Sequence, residues 1–550
     1  MASAEQFPPA PHDVALERFR EHEAWWVGDT ITLNHLYQGD TPTHTHKGEP
    51  HRGGLVGSLS KAFWGAPVVK GEDRMKMHVD LAGGICRLSA TLLFGEQVKI
   101  RYPKPIELDA AGVDPANKKW EHPGQARLDV IMSSDEARAE LLKGGEYGAA
   151  LGGFFLAVTW NTTLSDHVRI RAYAADSALP EFQDGILTAV TLWTEYRVDR
   201  DVFRLLERQE PGFISYTLYK GGENTLGTVV PMNTLNATTH YNGLRSQSEL
   251  DQAIADPTSW SEIVSVATGV SKLAVAYIPN RMPNKDWRKH GVLANLGRSD
   301  LAGIEDELDK VDQTWSALML DVTNGQGRLT VPESWLDAGT RGAGSSVDLD
   351  RQVYVGVSAL GQGNESLNGQ VHLSQFDIRD EKLMNVINGL KREIAWTTGY
   401  SLSHLGIEAD GQMKTATEVS ADFSDSERVR DEKAMHAKPA LARLAQVALG
   451  IDGVVFPNMG GGWFEELPDV EFPPVSQEDM EKASRIVQVL FLSEAVSRRE
   501  RVRRSNPTWD EDQISDEVEA IEQEFGSTAP DPTTFTNDPT TADGSRPITE

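Results

Sequence analysis

A single cysteine, Cys86, stands in 550 residues, so no intramolecular disulfide can form and the fold does not depend on an oxidising compartment. Such a residue reads as a small buried apolar side chain, not as a nucleophile. No apolar stretch approaches the roughly eighteen consecutive residues of a membrane-spanning helix. The opening residues also lack the basic-then-apolar order of a secretory signal, and the chain is expected to be soluble and intracellular when made. Basic residues are scarce: 53 Lys and Arg face 82 Asp and Glu, giving a formal net charge of −29 and a pI near 4.9. This balance excludes binding nucleic acid by blanket neutralisation of phosphates. It leaves open a protein that surrounds DNA without gripping it, because a negative wall repels phosphate and lets the polymer slide.

Several chemistries are missing as well. No Gly-Lys dipeptide occurs, so no P-loop can place a lysine on the β and γ phosphates of a nucleotide. No G-x-S-x-G elbow is present, and the glycine run of Met459 to Trp463 lacks the downstream helix of a dinucleotide-binding turn. His44, His46 and His51 form an H-x-H pair with a third histidine nearby, but in a Gly- and Pro-rich loop without cysteine or a helical HExxH frame they read as exposed loop residues. No metal, cofactor or catalytic residue is assigned. Thirteen tryptophans and abundant carboxylates raise the alternative of a carbohydrate-active enzyme using two acids, yet the acids gather on helix faces such as Glu305, Asp306, Glu307 and Asp309, where solvation explains them.

What is present is a pattern. From Ser299 to Thr323 the apolar residues Leu301, Ile304, Leu308, Val311, Trp315, Leu318 and Val322 recur at alternating steps of three and four. The spacing predicts a helix of about seven turns with one narrow apolar seam. A second helix is predicted over Asp377 to Thr397, with Leu383, Ile387, Leu390 and Ile394 on one face. Two long polar helices with narrow seams bury little in a monomer, which points toward contact with further copies of the chain. Between them, Arg328 to Pro332 and Arg351 to Val357 read as strands of a small inserted module.

Elsewhere, the first residues, with three prolines by Pro11, read as a flexible arm. Helices are predicted near Asp13 to Tyr37 and Gly71 to Gly95. Short β-branched and aromatic runs at Gly153 to Trp160, Val168 to Ala174, Ile186 to Val198, Val202 to Arg208 and Gly212 to Tyr219 predict an antiparallel sheet, on which helices near Ser134 to Leu142 and Ser246 to Asp256 would pack to make an α+β domain. Residues Leu273 to Gly297 form an approach carrying the bases Arg281, Lys285, Arg288 and Lys289. Thr398 to Lys414 reads as a Gly- and Ser-rich loop, followed by a helix to about Gly450 interrupted at Pro439. Further helices follow Pro474, and from Gly526 the Pro-, Thr- and Asp-rich tail is expected to be disordered.

The segment GQMKTATEVSADFSDSERVRDEKAMHAKPALARLAQVALG, Gly411 to Gly450, resembles the KTATEV region of portal proteins of tailed double-stranded DNA bacteriophages, of the long-tailed siphophage type. In the same order, LGRSDLAGIEDELDKVDQTWSALMLDVTNGQGRLTVPESWL is similar to that family's G-x-S helix with an Asp-x-x-aromatic step, Asp312 and Trp315, and a following Gly-x-x-Arg strand. LAGGICRLSATLLFGEQVKI and EYGAALGGFFLAVTWN resemble further family segments, so the likeness spans Trp25 to Glu524. The bases near Arg281 and the tail after Gly526 have no counterpart in it.

The resemblance implies a portal fold: an arm at 1–24, an α/β wing over 25–298, stem helices at 299–323 and 373–397, a small β-containing clip at 324–372, a tunnel loop at 398–414, a helix behind it at 415–450, a helical crown over 451–525 and a tail at 526–550. It implies a noncatalytic ring, of twelve subunits in the virion, at one capsid vertex. DNA would pass through it during packaging and ejection; terminase large subunit, head-tail connector or adaptor, and major capsid and scaffolding proteins would be partners. The ring would assemble in the host cytoplasm. Ser401, Ser403, His404, Gln412 and Lys414 would face DNA. Leu301, Ile304, Leu308, Val311, Trp315, Leu318, Leu383, Ile387, Leu390 and Ile394 would form the stem and subunit interface, and Arg328, Val331 and Tyr354 would belong to the clip. Another virion ring protein, such as an adaptor, is the structural alternative.

Overall fold

The computed structural model describes residues 6–39, 77–103, 122–245, 262–324, 328–330, 337–338, 345–346, 372–374, 378–406, 416–473, 497–506, 509 and 511–526. His44, His46, His51, the predicted helix at 246–256 and the tail lie outside them. The chain divides into two compact units, one of residues 1–103 and 123–472, the other of 104–122 and 473–550.

The first unit opens with α1 (His12–Val27) and α2 (Thr30–Gly39). Gly28 ends α1 at φ +75°, and the Asp29 carboxylate accepts from the Thr32 and Ile31 amides to start α2. Helix α3 (Leu81–Phe94) buries Leu81, Ile85, Cys86, Ala90 and Phe94. It is shorter than the predicted Gly71 to Gly95: the amides of Met77 and Val79 are drawn to Ser316 and Asp312 instead of into a helix. After β1 (Lys99–Arg101) come α4 (Gln125–Met132) and α5 (Asp135–Leu151), the latter capped by Ser134, whose hydroxyl accepts from the Ala137 amide. Gly144 of α5 allows the Phe154 ring to press on its backbone, since a Cβ there would lie 2.5 Å from the ring.

Strands β2 (Gly153–Thr159), β3 (Arg169–Ala174) and β10 (Val275–Pro279) form a three-stranded antiparallel sheet in the order β10-β2-β3. β2 is buried along nearly its whole length, which explains its unbroken apolar run GFFLAV. A second antiparallel sheet runs in chain order through β4 (Ala178–Gln183), β5 (Ile186–Val198), β6 (Asp201–Glu210), β7 (Phe213–Gly222) and β8 (Thr225–Val230), with β9 (Val264–Ala267) also on β7. The antiparallel pairing of the mid-chain strands agrees with the sequence expectation; β4, β8, β9 and β10 were not anticipated.

The N-terminal residues depart from the flexible-arm expectation from Gln6 onward. Gln6 bridges to Thr225, the Phe7 amide donates to the Asn224 carbonyl at 3.1 Å, and the Phe7 ring meets Trp193 edge-on while Arg204 lies over it. An aromatic side chain and an unpaired strand edge outweigh the prolines.

Helices α6 (Glu305–Asn324) and α7 (Asp380–Thr398) flank the insertion, where β11 (Arg328–Thr330) pairs with β14 (His372–Ser374) and β12 (Asp337–Ala338) with β13 (Ser345–Ser346). The expected strand at 351–357 lies outside the described residues. Helix α8 (Ala416–Val455) then crosses the core without a break at Pro439, contrary to expectation. Pro439 and Met435, the residue whose carbonyl loses its helical donor, lie on the exposed side of the helix, while Ala437, Leu441, Leu444 and Ala448 are fully buried. Their burial outweighs the roughly 3 kcal/mol that an interior proline costs. β15 (Asp469–Glu471) returns to pair with β1.

The second unit contains α9 (Arg498–Ser505) and α10 (Glu511–Gly526), with Val502 and Ile514 buried.

Candidate functional site: the helix pair and the foot of its loop

Helices α6 and α7 run antiparallel, closed at one end by the Arg379 guanidinium, which donates to both Asp321 oxygens at 2.8 and 3.0 Å. The pairing holds the Asp321 carboxyl below the usual range, chiefly through those hydrogen bonds. α6 begins at Glu305 and not at Ser299. The Ser299 hydroxyl is spent on the Ala149 and Ala150 carbonyls, Gly303 takes φ +91°, and the Glu305 carboxylate accepts from the Gly303 amide. Leu301 and Ile304 therefore lie in the approach to the helix.

The seam is closed by the chain itself. Leu301, Ile304, Leu308, Val311 and Ile394 share one core with Phe19, Trp25, Ile85 and Leu151. Leu318 and Ile387 are buried too, and Trp315, Leu383 and Leu390 are half-buried. The buried seam residues thus pack within the chain itself. A moderate seam suffices because α1 and α3 cover it. Val322, expected to end the seam, is exposed instead, as are Leu320, Met384, Val386 and Trp396, the last 86% exposed. The acids read as a solvated face are also divided. Asp306 is exposed and Glu307 half-buried, whereas Glu305 is buried against Arg18 and His22, and Asp309 is buried accepting from Gln313.

At the foot of the pair lies a buried polar network. Asp300 has a fully buried side chain; one oxygen accepts from Asn280 at 3.0 Å, the other from the Tyr400 hydroxyl at 2.9 Å and from the Lys433 ammonium. Lys433 also donates to Ser89 and, at 3.0 Å, to Tyr400. Arg281 stands 4.0 Å from Asp300 and donates to the Thr398 carbonyl at the end of α7. Burial by itself would raise the Asp300 carboxyl, but Lys433 and Arg281 outweigh it and hold it below the usual range. Burial pulls the Lys433 ammonium down, with Asp300 opposing. The network ties α3, the approach to α6, the start of the loop and α8 to one point. Sequence reading missed it because Asp300 and Lys433 are separated by more than a hundred residues and look like ordinary surface charges. Arg281 was marked only as one of a basic group, and of that group Lys285, Arg288 and Lys289 are exposed.

The loop leaves this foot through Gly399 at φ +82°. Ser401 is buried: its amide donates to the Ser426 hydroxyl at 2.9 Å and its own hydroxyl meets His404 Nδ1 at 2.9 Å. His404 Nδ1 also lies 2.9 Å from Ser426 Oγ, and burial lowers its pKa. Ser401 is therefore an anchor of the loop. Ser403 and His404 are half-buried, and Gln412, Lys414, Val331, Tyr354 and the side chain of Arg328 lie outside the described residues. Among the described residues no group of three or more His, Cys, Asp or Glu side chains is arranged to hold a metal, and no helix is long and apolar enough to cross a membrane. Cys86 is buried and its thiol is pushed up by that burial, as a packing residue should be.

No family model matches the chain, and no curated protein does. Similar solved structures include a chain from the neck of an empty gene transfer agent particle computed with C6 symmetry, 11% identical, covering 84% of this chain and 95% of that chain at a TM-score of 0.39. A chain from the virion of a native gene transfer agent particle is 13% identical, with 82% and 93% covered and a TM-score of 0.37. One from the neck of the native particle computed with C12 symmetry is 12% identical, with 82% and 94% covered and a TM-score of 0.36. Likeness at this level says nothing of function.

Proposed function

We propose that the chain is the portal protein of a phage-like particle. It would form a ring at one capsid vertex through which double-stranded DNA enters and leaves, and on which terminase and the head-tail connector dock. In this reading α6 and α7 are the stem, the insertion between them is the clip, residues 398–414 are the tunnel loop, the sheets and α8 belong to the wing, and the helices after 473 form the crown. One observation carries the reading. The helix pair, the insertion at one end and the loop at the other follow in the order of the family resembled, and the pair is anchored by buried charges while apolar residues of its outer faces, Trp396 among them, are exposed without a partner among the described residues. A ring supplies such partners, and the net charge of −29 per copy suits a channel along which DNA slides. ATP hydrolysis would come from the terminase.

The test is negative-stain electron microscopy of the purified full chain. Rings with a central hole are expected, and compact monomers at every concentration would overturn the reading.

A further inference from the structure

The three-stranded and the six-stranded sheet meet across a small apolar core, in which Phe155 and Ala157 of β2 and Val275 of β10 pack with Val190 and Leu192 of β5. One acid stands in that contact. Glu207 of β6 is 4% exposed, with Leu192 on β5 and Tyr216 on β7 as its cross-strand neighbours. Gln209, two residues on and on the same face, is fully buried between Val190 and Ile214.

The polar partners are few. Tyr173 of β3, on the opposite sheet, donates its hydroxyl to Glu207 Oε2 at 3.1 Å, and the Gln209 amide donates to Glu207 Oε1 at 2.5 Å. Gln209 Oε1 has no partner among the described residues. Two donor groups thus serve three acceptor oxygens, and a proton on the carboxyl turns one acceptor into a donor. No cation balances the acid either, since Glu207 makes no ion pair among the described residues. The charged and titratable groups that face it are Tyr173 and Arg171 from β3, Tyr216 from β7 and Tyr241 from the 3-10 turn Thr239–Leu244. Arg171 is exposed, its guanidinium stacked over the Tyr173 ring 4.9 Å from the centroid. Burial raises the Glu207 carboxyl, with Gln209, Tyr173 and Arg171 opposing it. Burial also raises the three phenols, so they keep their protons while Glu207 titrates.

We propose that Glu207 is a neutral acid in the folded chain and acts as a pH-operated latch between the two sheets: the protonated carboxyl fits the apolar contact, and its ionisation at alkaline pH, with the proton passing to water, loosens β6 from β3. A carboxylate there would have only neutral donors in apolar surroundings. Asn280, next after β10, donates to Asp300, so the three-stranded sheet stays tied to the foot of the helix pair while the six-stranded sheet is released. The sign follows from linkage. The folded carboxyl holds its proton more tightly than the unfolded one, so stability is lost as pH rises from the unfolded value to the folded one and is level above it.

The test uses the full-length chain. Infrared spectra in heavy water at about pH 7 should show the carbonyl band of a protonated carboxylic acid, missing from Glu207→Gln. Tyr173→Phe removes a donor to the ionised form and should carry the loss of that band to higher pH. Between about pH 6 and 9 the unfolding constant of wild type should rise relative to that of Glu207→Gln by up to about tenfold per pH unit. Amides of β3 and β6 should exchange faster in wild type than in Glu207→Gln at about pH 9, and equally at about pH 6. Absence of the acid band, or parallel pH dependences in the two proteins, overturns the neutral acid. Equal exchange at both pH values overturns the latch. Should Glu207→Gln not fold, the band in wild type and its upward shift in Tyr173→Phe carry the test, and a missing or unshifted band overturns the proposal. The ring reading stands or falls separately, on electron microscopy.

Discussion

The Lys433 ammonium meets the Asp300 carboxylate with 2% and 0% of the two side chains exposed. Neither charge reaches water, so each depends on the other and on Tyr400, Ser89 and Asn280. Lys433→Met should strand the carboxylate and destabilise the first unit by about 3–5 kcal/mol, measured by chemical denaturation. Lys433→Met combined with Asp300→Leu should recover most of that loss. The pH dependence has a definite sign. The folded pKa of Asp300 is depressed, so its contribution is present above the unfolded carboxylate value and is lost as pH falls through the folded one. A wild-type stability curve that stays flat on acidification, with Lys433→Met parallel to it, would remove the pair from the account.

Leu308 is 2% exposed inside the seam. Leu308→Ala should cost about 2–5 kcal/mol through lost burial and an unfilled cavity. The loss should appear in the isolated chain at dilution, as a lowered melting temperature. Trp315→Asp should act the same way to a smaller degree, since its ring is only half-buried. Unchanged monomer stability with loss of assembly would return these residues to a subunit interface.

His78 Nδ1 lies 2.9 Å from Asp312 Oδ2, and the Val79 amide donates to the other oxygen at 2.8 Å. The hydrogen bond to Asp312 is the largest cause of a raised His78 pKa, with burial opposing it. The stabilisation is therefore fully present below the unfolded histidine value and is lost as pH rises through the folded one. Denaturation midpoints should fall as pH rises between about 6 and 8, and Asp312→Asn should flatten that slope. Equal slopes in the two proteins would show that His78 is not their source.

Lys414 is the base at the end of the loop between α7 and α8. In the proposed channel it touches passing phosphate briefly, so Lys414→Glu should reduce DNA packaged per particle while leaving rings intact. Ring loss in this variant, seen by electron microscopy, would count against a channel role for the loop.

Local patterns were readable where local physics decided the outcome. The β5 run Ile186–Val198 was bounded correctly because its turn residues, Asp184 and Gly185 before it and Asp199 after it, adopt positive φ, which their side chains tolerate. The face of α7 was readable from Ile387 and Ile394, both buried. Distant partners were not readable. Nothing near Asp300 announces Lys433, and nothing near Val79 announces Asp312, so the start of α6 and the length of α3 were misplaced. Pro439 misled for the opposite reason: local propensity forbade a helix that burial on its other faces enforces.

The N-terminal contact gives the last test of that balance. Phe7 is 7% exposed, its ring centroid 5.1 Å from that of Trp193, and Arg204 beneath it also donates to the carbonyls of Gly222, Glu223 and Thr225. The ring thus docks the N-terminal segment on the same arginine that holds the turn between β7 and β8. Burying such a side chain contributes about 1.5–3 kcal/mol, enough to keep a proline-rich segment docked more than nine-tenths of the time. Phe7→Ala should therefore expose residues 8–11 to limited proteolysis while the melting temperature of the first unit changes little, because Arg204 keeps its carbonyl partners. Cleavage rates equal to wild type would mean that the Gln6 bridge to Thr225 and the Phe7 amide, not the ring, hold the segment in place.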